Sequence, residues 1–176
     1  MYVMGDSMEF KKVFSENDIF LIGMDFYGDP FEKASTWEEE NEIGQLWKRF
    51  NKFVLENPDS MNNVNNRNVF YEVHSITDES FTKGYFNIFV GVQTETVAAG
   101  IPFGLVAKQL PPSKYALFTL KGQEIASDWN RQIMSDWAPS SGLELLCNYT
   151  ILKYDDRFKG MDKIDESEMD ILIPIR

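Results

Sequence analysis

The sequence predicts an α+β domain: a mostly antiparallel sheet, two main helices against it, and a central ligand cleft where two duplicated βαββ-type halves meet. Three observations carry that expectation. Short runs in which apolar and polar residues alternate, the period of a half-buried strand, recur along the chain. Two longer runs repeat apolar residues at helical spacing. The order strand, strand, helix, strand, strand then occurs twice, over approximately residues 8–95 and 104–175, and both helices carry Trp-x-Arg, at Trp47-Lys48-Arg49 and Trp129-Asn130-Arg131. Related halves ordinarily face one another across an approximate twofold. The seam between the helices and the central strands is a favoured place for a ligand. Residues 1–176 read as a single domain on this pattern.

Alternation around Met8, Phe10, Lys12 and Phe14, and again around Phe20, Ile22, Met24 and Phe26, predicts two strands joined near 15–18. Gly28-Asp29-Pro30 breaks the second. Ser35, Thr36, Glu38 and Glu39 offer overlapping capping boxes, with acidic residues in the first turn where the helix dipole favours them. Ile43, Leu46, Trp47, Phe50 and Val54 follow at helical spacing until Asn57-Pro58 ends the run. The Asn-rich segment 57–68 reads as a mobile loop ahead of strands near 69–76 and 85–95. The second half opens with a strand at 104–110, a turn at Pro111-Pro112 and a strand at 115–120. Ile125, Trp129, Ile133 and Trp137 recur at every fourth position of a second helix, and strands at 145–154 and 168–175 complete the set.

Seventeen basic against 28 acidic residues leave a net charge of −11. Counterion release on DNA needs clustered Lys and Arg, and here they are dispersed, so direct nucleic-acid binding is not expected. An acidic surface serves solubility and favours cationic small molecules or basic protein partners. The single cysteine, Cys147, has no internal disulfide partner and fits a reducing compartment. No secretory signal is legible near Met1, and no apolar stretch approaches the roughly 18 residues of a membrane span, so a cytoplasmic location without membrane contact is expected.

Catalytic and cofactor chemistry finds little support. One Cys and one His do not build a zinc set, and nothing in the spacing of Cys147 and His74 argues for a nucleophile and its base. The carboxylates of 155–170 match no EF-hand loop, and 100–104 lacks the Lys and spacing of a phosphate loop. No cofactor, metal or catalytic residue is therefore assigned. What remains is aromatic: 14 Phe, 7 Tyr and 4 Trp, more indole than packing alone requires in a chain of this size.

The last forty residues are more specific. They read Trp137-Ala138-Pro139-Ser140-Ser141-Gly142-Leu143-Glu144, then Tyr154-Asp155-Asp156-Arg157-Phe158, then Glu168-Met169-Asp170-Ile171-Leu172-Ile173-Pro174-Ile175-Arg176. This resembles the effector-binding domain of the gyrase-inhibitor (GyrI-like) proteins and of the drug-sensing halves of AraC-type and MerR-type bacterial transcription regulators. Members of that family run W-[LM]-P-x-S-G-Y-E, Y-[DE]-x-R-F and [ED]-[IV]-D-I-x-I-P-[IV]. The resemblance implies two βαββ-type units enclosing a pocket at their seam. It implies a stand-alone, cytoplasmic multidrug sensor or scavenger that takes hydrophobic, aromatic and in some members cationic compounds. The regulators bind DNA through a separate helical domain that these 176 residues do not contain. Two alternatives come with the family: a hydrolase of strained electrophilic small molecules, and a regulatory partner of gyrase that would use the acidic runs 38–42 and 162–170.

The family places tryptophans at the helix positions of Trp47 and Trp137, which are the leading candidates for the pocket wall. Tyr115 follows the turn 111–114 much as in the family's P-x-G-x-Y, and Tyr71 and Phe89 fall mid-strand. Packing in the core is the competing reading for all five. One departure stands out. Relatives carry [FHY]-E-[RIV]-Y where this chain has Ile151-Leu152-Lys153-Tyr154, so the glutamate that serves cation binding or hydrolysis in the family is Leu152 here. Glu72, Glu95 and Asp170 lie in predicted strands as substitutes, although Asp170 also reads as a solvent-facing residue of opposite parity to Met169 and Ile171. Without a substitute the pocket would prefer neutral ligands.

Overall fold

A computed structural model describes residues 10–32, 41–97 and 100–176 of the chain. Within them, strands β1 (Phe10–Ser15), β2 (Ile19–Gly28), β3 (Phe70–Ile76), β4 (Phe86–Thr94), β5 (Val106–Leu110), β6 (Ser113–Lys121), β7 (Tyr149–Tyr154) and β8 (Glu168–Ile175) form one sheet. Their order is β1-β6-β8-β7-β3-β4-β2-β5, and every pairing is antiparallel. The fold is therefore α+β as predicted. The trio β7-β8-β6 repeats the arrangement of β3-β4-β2, and the two trios meet where β3 pairs with β7.

The short links 16–18 and 111–112 do not make hairpins. The strands they join lie at opposite ends of the sheet order. Phe10 pairs with Phe118 and Ser15 with Ser113, and beyond the links the same two segments pair again from Ile19 with Leu110 to Gly23 with Val106. Residues 10–23 and 106–118 are thus two long, bent strands running antiparallel, with three residues facing two at the corner, as in a bulge. Pro111 and Pro112, which have no N–H to give to a ladder, occupy that corner. The bend curves the sheet around a core on its inner face, where Leu21, Tyr71, Val73, Phe89, Tyr115 and Ile151 pack together.

The other face carries the helices. Helix α1 (Glu42–Glu56) starts at Asn41, whose side chain accepts from the Gly44 N–H at 2.8 Å, and stops at Asn57 ahead of Pro58. The capping boxes at Ser35–Glu39 lie outside the described residues, as does Met8. Ile43, Leu46 and Phe50 of α1 bury against Ile22, Ile88 and Val90. Helix α2 (Asp78–Lys83) was not foreseen. It is held by the Thr77 N–H donating to Ser80 Oγ and by Gly84 at φ 73°, and it buries no side chain that periodicity could reveal. The Asn-rich loop is also tied down: Met61 is buried, and Thr94 Oγ1 donates to the Asn63 carbonyl at 2.9 Å.

Helix α3 (129–141) begins at Asp128, widens to a π-helical stretch over Gln132–Trp137 and ends at Gly142 with φ 68°. There the Ala138 N–H reaches back five residues to the Ile133 carbonyl. Pro139 lacks an N–H for a regular bond to the Ser135 carbonyl, four residues back, and its ring would crowd that oxygen, which favours the wider turn. A strict four-residue repeat drifts about 40° per turn around an α-helix. The expected helix does not reach Ile125, which sits in a separate 3-10 turn, Gly122–Ala126, ahead of Asp128. The wide turn returns Trp137 toward the face of Trp129 and Ile133, and these three join Ile125 in the core of Phe118, Ile171 and Ile173.

Candidate ligand-binding cleft

Alternation decides what the helix face presents between α1 and α3. Phe70, Glu72, His74 and Ile76 of β3 point that way, as do Thr150, Leu152 and Tyr154 of β7. Their side chains floor two hollows, of about 440 and about 450 Å³, that share Ile43 and Trp129 as common wall. The first is bounded by Trp47 of α1, Trp129 of α3, Phe70, Tyr154 and Phe158. Trp47 meets Tyr154 edge-on at 5.5 Å and Phe70 at 6.1 Å. The second hollow holds His74, Thr150, Phe86 and Asp128.

Glu72 lies at the floor of this aromatic chamber and is 1% exposed. Trp47 Nε1–H donates to its Oε2 at 2.6 Å, His74 Nε2–H to its Oε1 at 2.5 Å, and the Tyr154 hydroxyl reaches Oε2 at a long 3.4 Å. Burial lifts the Tyr154 phenol well above its ordinary range, and the negative field of Glu72 and their hydrogen bond lift it further. Tyr154 is thereby kept as a donor. A buried carboxylate requires donors or a counter-charge about it, because burying an unpaired charge is costly, and here Trp47, His74 and Tyr154 surround it.

Of the residues expected at the site, Trp47 and Leu152 line the cleft. Tyr71, Phe89 and Tyr115 do not: each sits one residue out of phase with the cleft-facing positions and packs in the core behind the sheet. There Tyr71 donates to Gln93 Oε1 at 2.9 Å, and the Tyr115 and Tyr149 hydroxyls meet at 3.0 Å. Burial pushes the Tyr115 phenol up, aided by Tyr149. Trp137 also lies off the cleft, edge-on to Phe10 at 4.6 Å and to Phe118 at 4.7 Å. Asp170 is on the face away from the cleft, as its parity suggested, but it is buried and engaged. Arg157 Nη2 donates to it at 2.6 Å and Thr119 Oγ1 at 2.7 Å. Glu95 is exposed beyond the end of β4. Glu72 alone of the three substitutes faces the hollow. Trp129, Tyr154 and Phe158 were missed as wall residues, yet the shared Trp-x-Arg pointed to Trp129, and Tyr154 has the parity of Leu152.

The model of the integron-associated effector-binding proteins, Cass2, matches residues 14–175. The chain belongs to the Cass2 family. BrlR, a transcriptional regulator of Pseudomonas aeruginosa, is 28% identical over 158 residues, covering 88% of this chain and 51% of BrlR. The chain thus spans about half the length of that curated relative. Among solved structures, SAV2435 bound to tetraphenylphosphonium superposes with a TM-score of 0.68 at 15% identity, covering 96% of this chain and 94% of that one. A putative transcription regulation protein from Staphylococcus aureus gives 0.64 at 16% identity, with 97% and 99% covered. At such identities these two likenesses concern the fold. The Cass2 membership identifies the chain as an effector-binding, small-molecule-binding domain of GyrI-like type. No helix among the described residues is long and apolar enough to cross a membrane.

Proposed function

We propose that this Cass2-family chain is a cytoplasmic receptor for hydrophobic aromatic cations, binding them by burial and stacking without chemistry. The observation that carries the reading is Glu72, a carboxylate 1% exposed at the floor of a chamber walled by Trp47, Trp129, Tyr154 and Phe158. Aromatic walls supply affinity with little selectivity, and the carboxylate adds the preference for positive charge. The tetraphenylphosphonium bound by SAV2435 has the same character, and it is the probe of choice here. For a ligand of about 25 heavy atoms, roughly 0.3 kcal/mol per atom gives about −7 to −8 kcal/mol, which is micromolar. Hydrolysis is the weaker reading, since three side-chain donors already occupy the Glu72 oxygens that a water would have to reach.

The test is titration of the full chain with tetraphenylphosphonium, read by tryptophan fluorescence and by thermal shift. Micromolar quenching is expected, weakened at least tenfold in Glu72→Gln, whereas neutral triphenylphosphine oxide should bind both forms alike. A saturating titration with neither quenching nor a shift in melting temperature would remove the proposal.

A further inference from the structure

We infer that His74 is a built-in counter-ion for Glu72, and that a cationic ligand takes its place electrically by driving the proton off its ring. The inference rests on the receptor reading above and adds to it a residue that sets specificity. His74 and Glu72 are two apart on β3, so both side chains emerge on the cleft face, and their contact is 2.5 Å. Of the three groups that donate to Glu72, the Trp47 indole and the Tyr154 phenol are neutral donors, and only the imidazole of His74 carries a positive charge when protonated. With the chamber empty, protonated His74 satisfies the buried carboxylate as an ion pair. A monocation seated against Trp47 and Tyr154 supplies that charge instead, and two positive charges about one carboxylate repel.

The exchange balances. An imidazolium–carboxylate pair plus the cationic ligand becomes a neutral imidazole, a carboxylate–ligand pair and one free proton. No side chain has to move, because neutral imidazole in the Nε2–H form still donates to Glu72 Oε1. The released proton has a route out, since His74 is 20% exposed and lines the second hollow. Among the described residues, the other titratable or charged groups around the pair are Tyr154 on β7, Lys48 on the exposed side of α1 and Asp128 at the start of α3. The Tyr154 phenol is held protonated, and Asp128 already accepts from the Arg131 N–H at 3.3 Å. Neutral ligands make no such exchange, so His74 discriminates between cations and neutral compounds according to pH.

Isothermal titration with tetraphenylphosphonium, in buffers of low and high ionisation heat at pH values from about 5 to 8, reads the proton directly. The chain has one histidine, so the signal has one imidazole source. Wild type should release up to one proton per cation bound, with affinity rising as pH rises, by at most about tenfold per pH unit. His74→Gln keeps a donor toward Glu72 but takes no charge, and it should bind the cation without proton release and with flat pH dependence. Triphenylphosphine oxide bound to wild type should release none, a control that does not depend on the variant folding. Cation binding by wild type without buffer-dependent heat overturns this inference alone, as does full proton release in His74→Gln. Failure of tetraphenylphosphonium to bind overturns the receptor reading and this inference with it.

Discussion

Glu72 and Leu152 are direct partners across the β3–β7 ladder, and both point into the cleft. The pair spans the junction of the two trios of strands. The family resemblance implies a glutamate where this chain has Leu152, and a carboxylate stands one strand away, about 5 Å across the ladder. Either position of this pair would place a carboxylate on the chamber floor. Glu72→Leu should therefore abolish the preference for tetraphenylphosphonium over triphenylphosphine oxide, and Glu72→Leu with Leu152→Glu should restore much of it. Competition titrations measure the ratio. A double variant no more selective than Glu72→Leu would show that the donors of Trp47 and His74, rather than the carboxylate alone, define the cation site.

Trp47 has two roles that Phe separates. The ring forms the chamber wall, whereas the indole N–H donates to Glu72 at 2.6 Å. Hydrogen bonds to charged groups are worth more than neutral ones, and removing a donor from a buried carboxylate leaves it under-satisfied. Trp47→Phe should cost about 1–3 kcal/mol of stability in urea unfolding. In Glu72→Gln the same change should cost less, because the charge that made the bond strong is gone. Equal costs in both backgrounds would mean that the indole contributes packing alone.

The reach and the limits of the sequence both show in these residues. Glu168–Ile175 and the end of α1 at Asn57-Pro58 were legible because local chemistry sets them: alternation in one, a residue without an N–H in the other. Alternation also tells which residues share a face, but not which of the two faces looks toward the helices. Tyr71, Phe89 and Tyr115 lie one residue out of phase with the cleft, whereas Glu72, offered as a substitute acid, and Tyr154, not foreseen as wall, face it. The opposition of Glu72 to Leu152 depends on a register between strands some eighty residues apart, which no local pattern encodes. Trp137 misled for another reason: the wide π turn keeps it on the buried face of α3, and two turns beyond Trp129 that face meets Phe10 and Phe118 rather than the cleft.

Behind the sheet, Gly23 and Gly91 face one another across the β2–β4 ladder. A Cβ on Gly91 would overlap the Ile22 carbonyl oxygen and stand 2.8 Å from the Phe89 ring tip, and one on Gly23 would overlap the Val90 carbonyl oxygen. The obstacles are mostly backbone, so the strands would have to part. Gly91→Ala should destabilise by about 1–3 kcal/mol, the range for overpacking a tight interior. Phe89 lies on the face away from the cleft, so the variant that remains folded should bind tetraphenylphosphonium with wild-type affinity. A lowered affinity at unchanged stability would contradict the separation of the two faces.

Arg157 fastens the outer wall of the cleft. Its guanidinium donates to Asp155 at 2.8 Å and to Asp170 of β8 at 2.6 Å, closing the loop whose ends present Tyr154 and Phe158, edge-on at 4.9 Å. The hydrogen bond from Arg157 is the main cause that holds the Asp155 carboxyl below its usual range. A carboxyl with a lower midpoint folded than unfolded adds stability above the unfolded midpoint, about pH 3.9 for Asp. That contribution fades as pH falls through the lower, folded value. Arg157→Gln should thus be clearly less stable than wild type at neutral pH, and the gap should narrow in acid below about pH 4. Urea unfolding of both proteins at the two pH values checks this. Because the loop also sets Phe158 against Tyr154, the same variant should lose affinity for aromatic cations several-fold while Glu72 is intact. A stability gap that stays constant on acidification would assign the fastening to the packing of the arginine stem rather than to its charge.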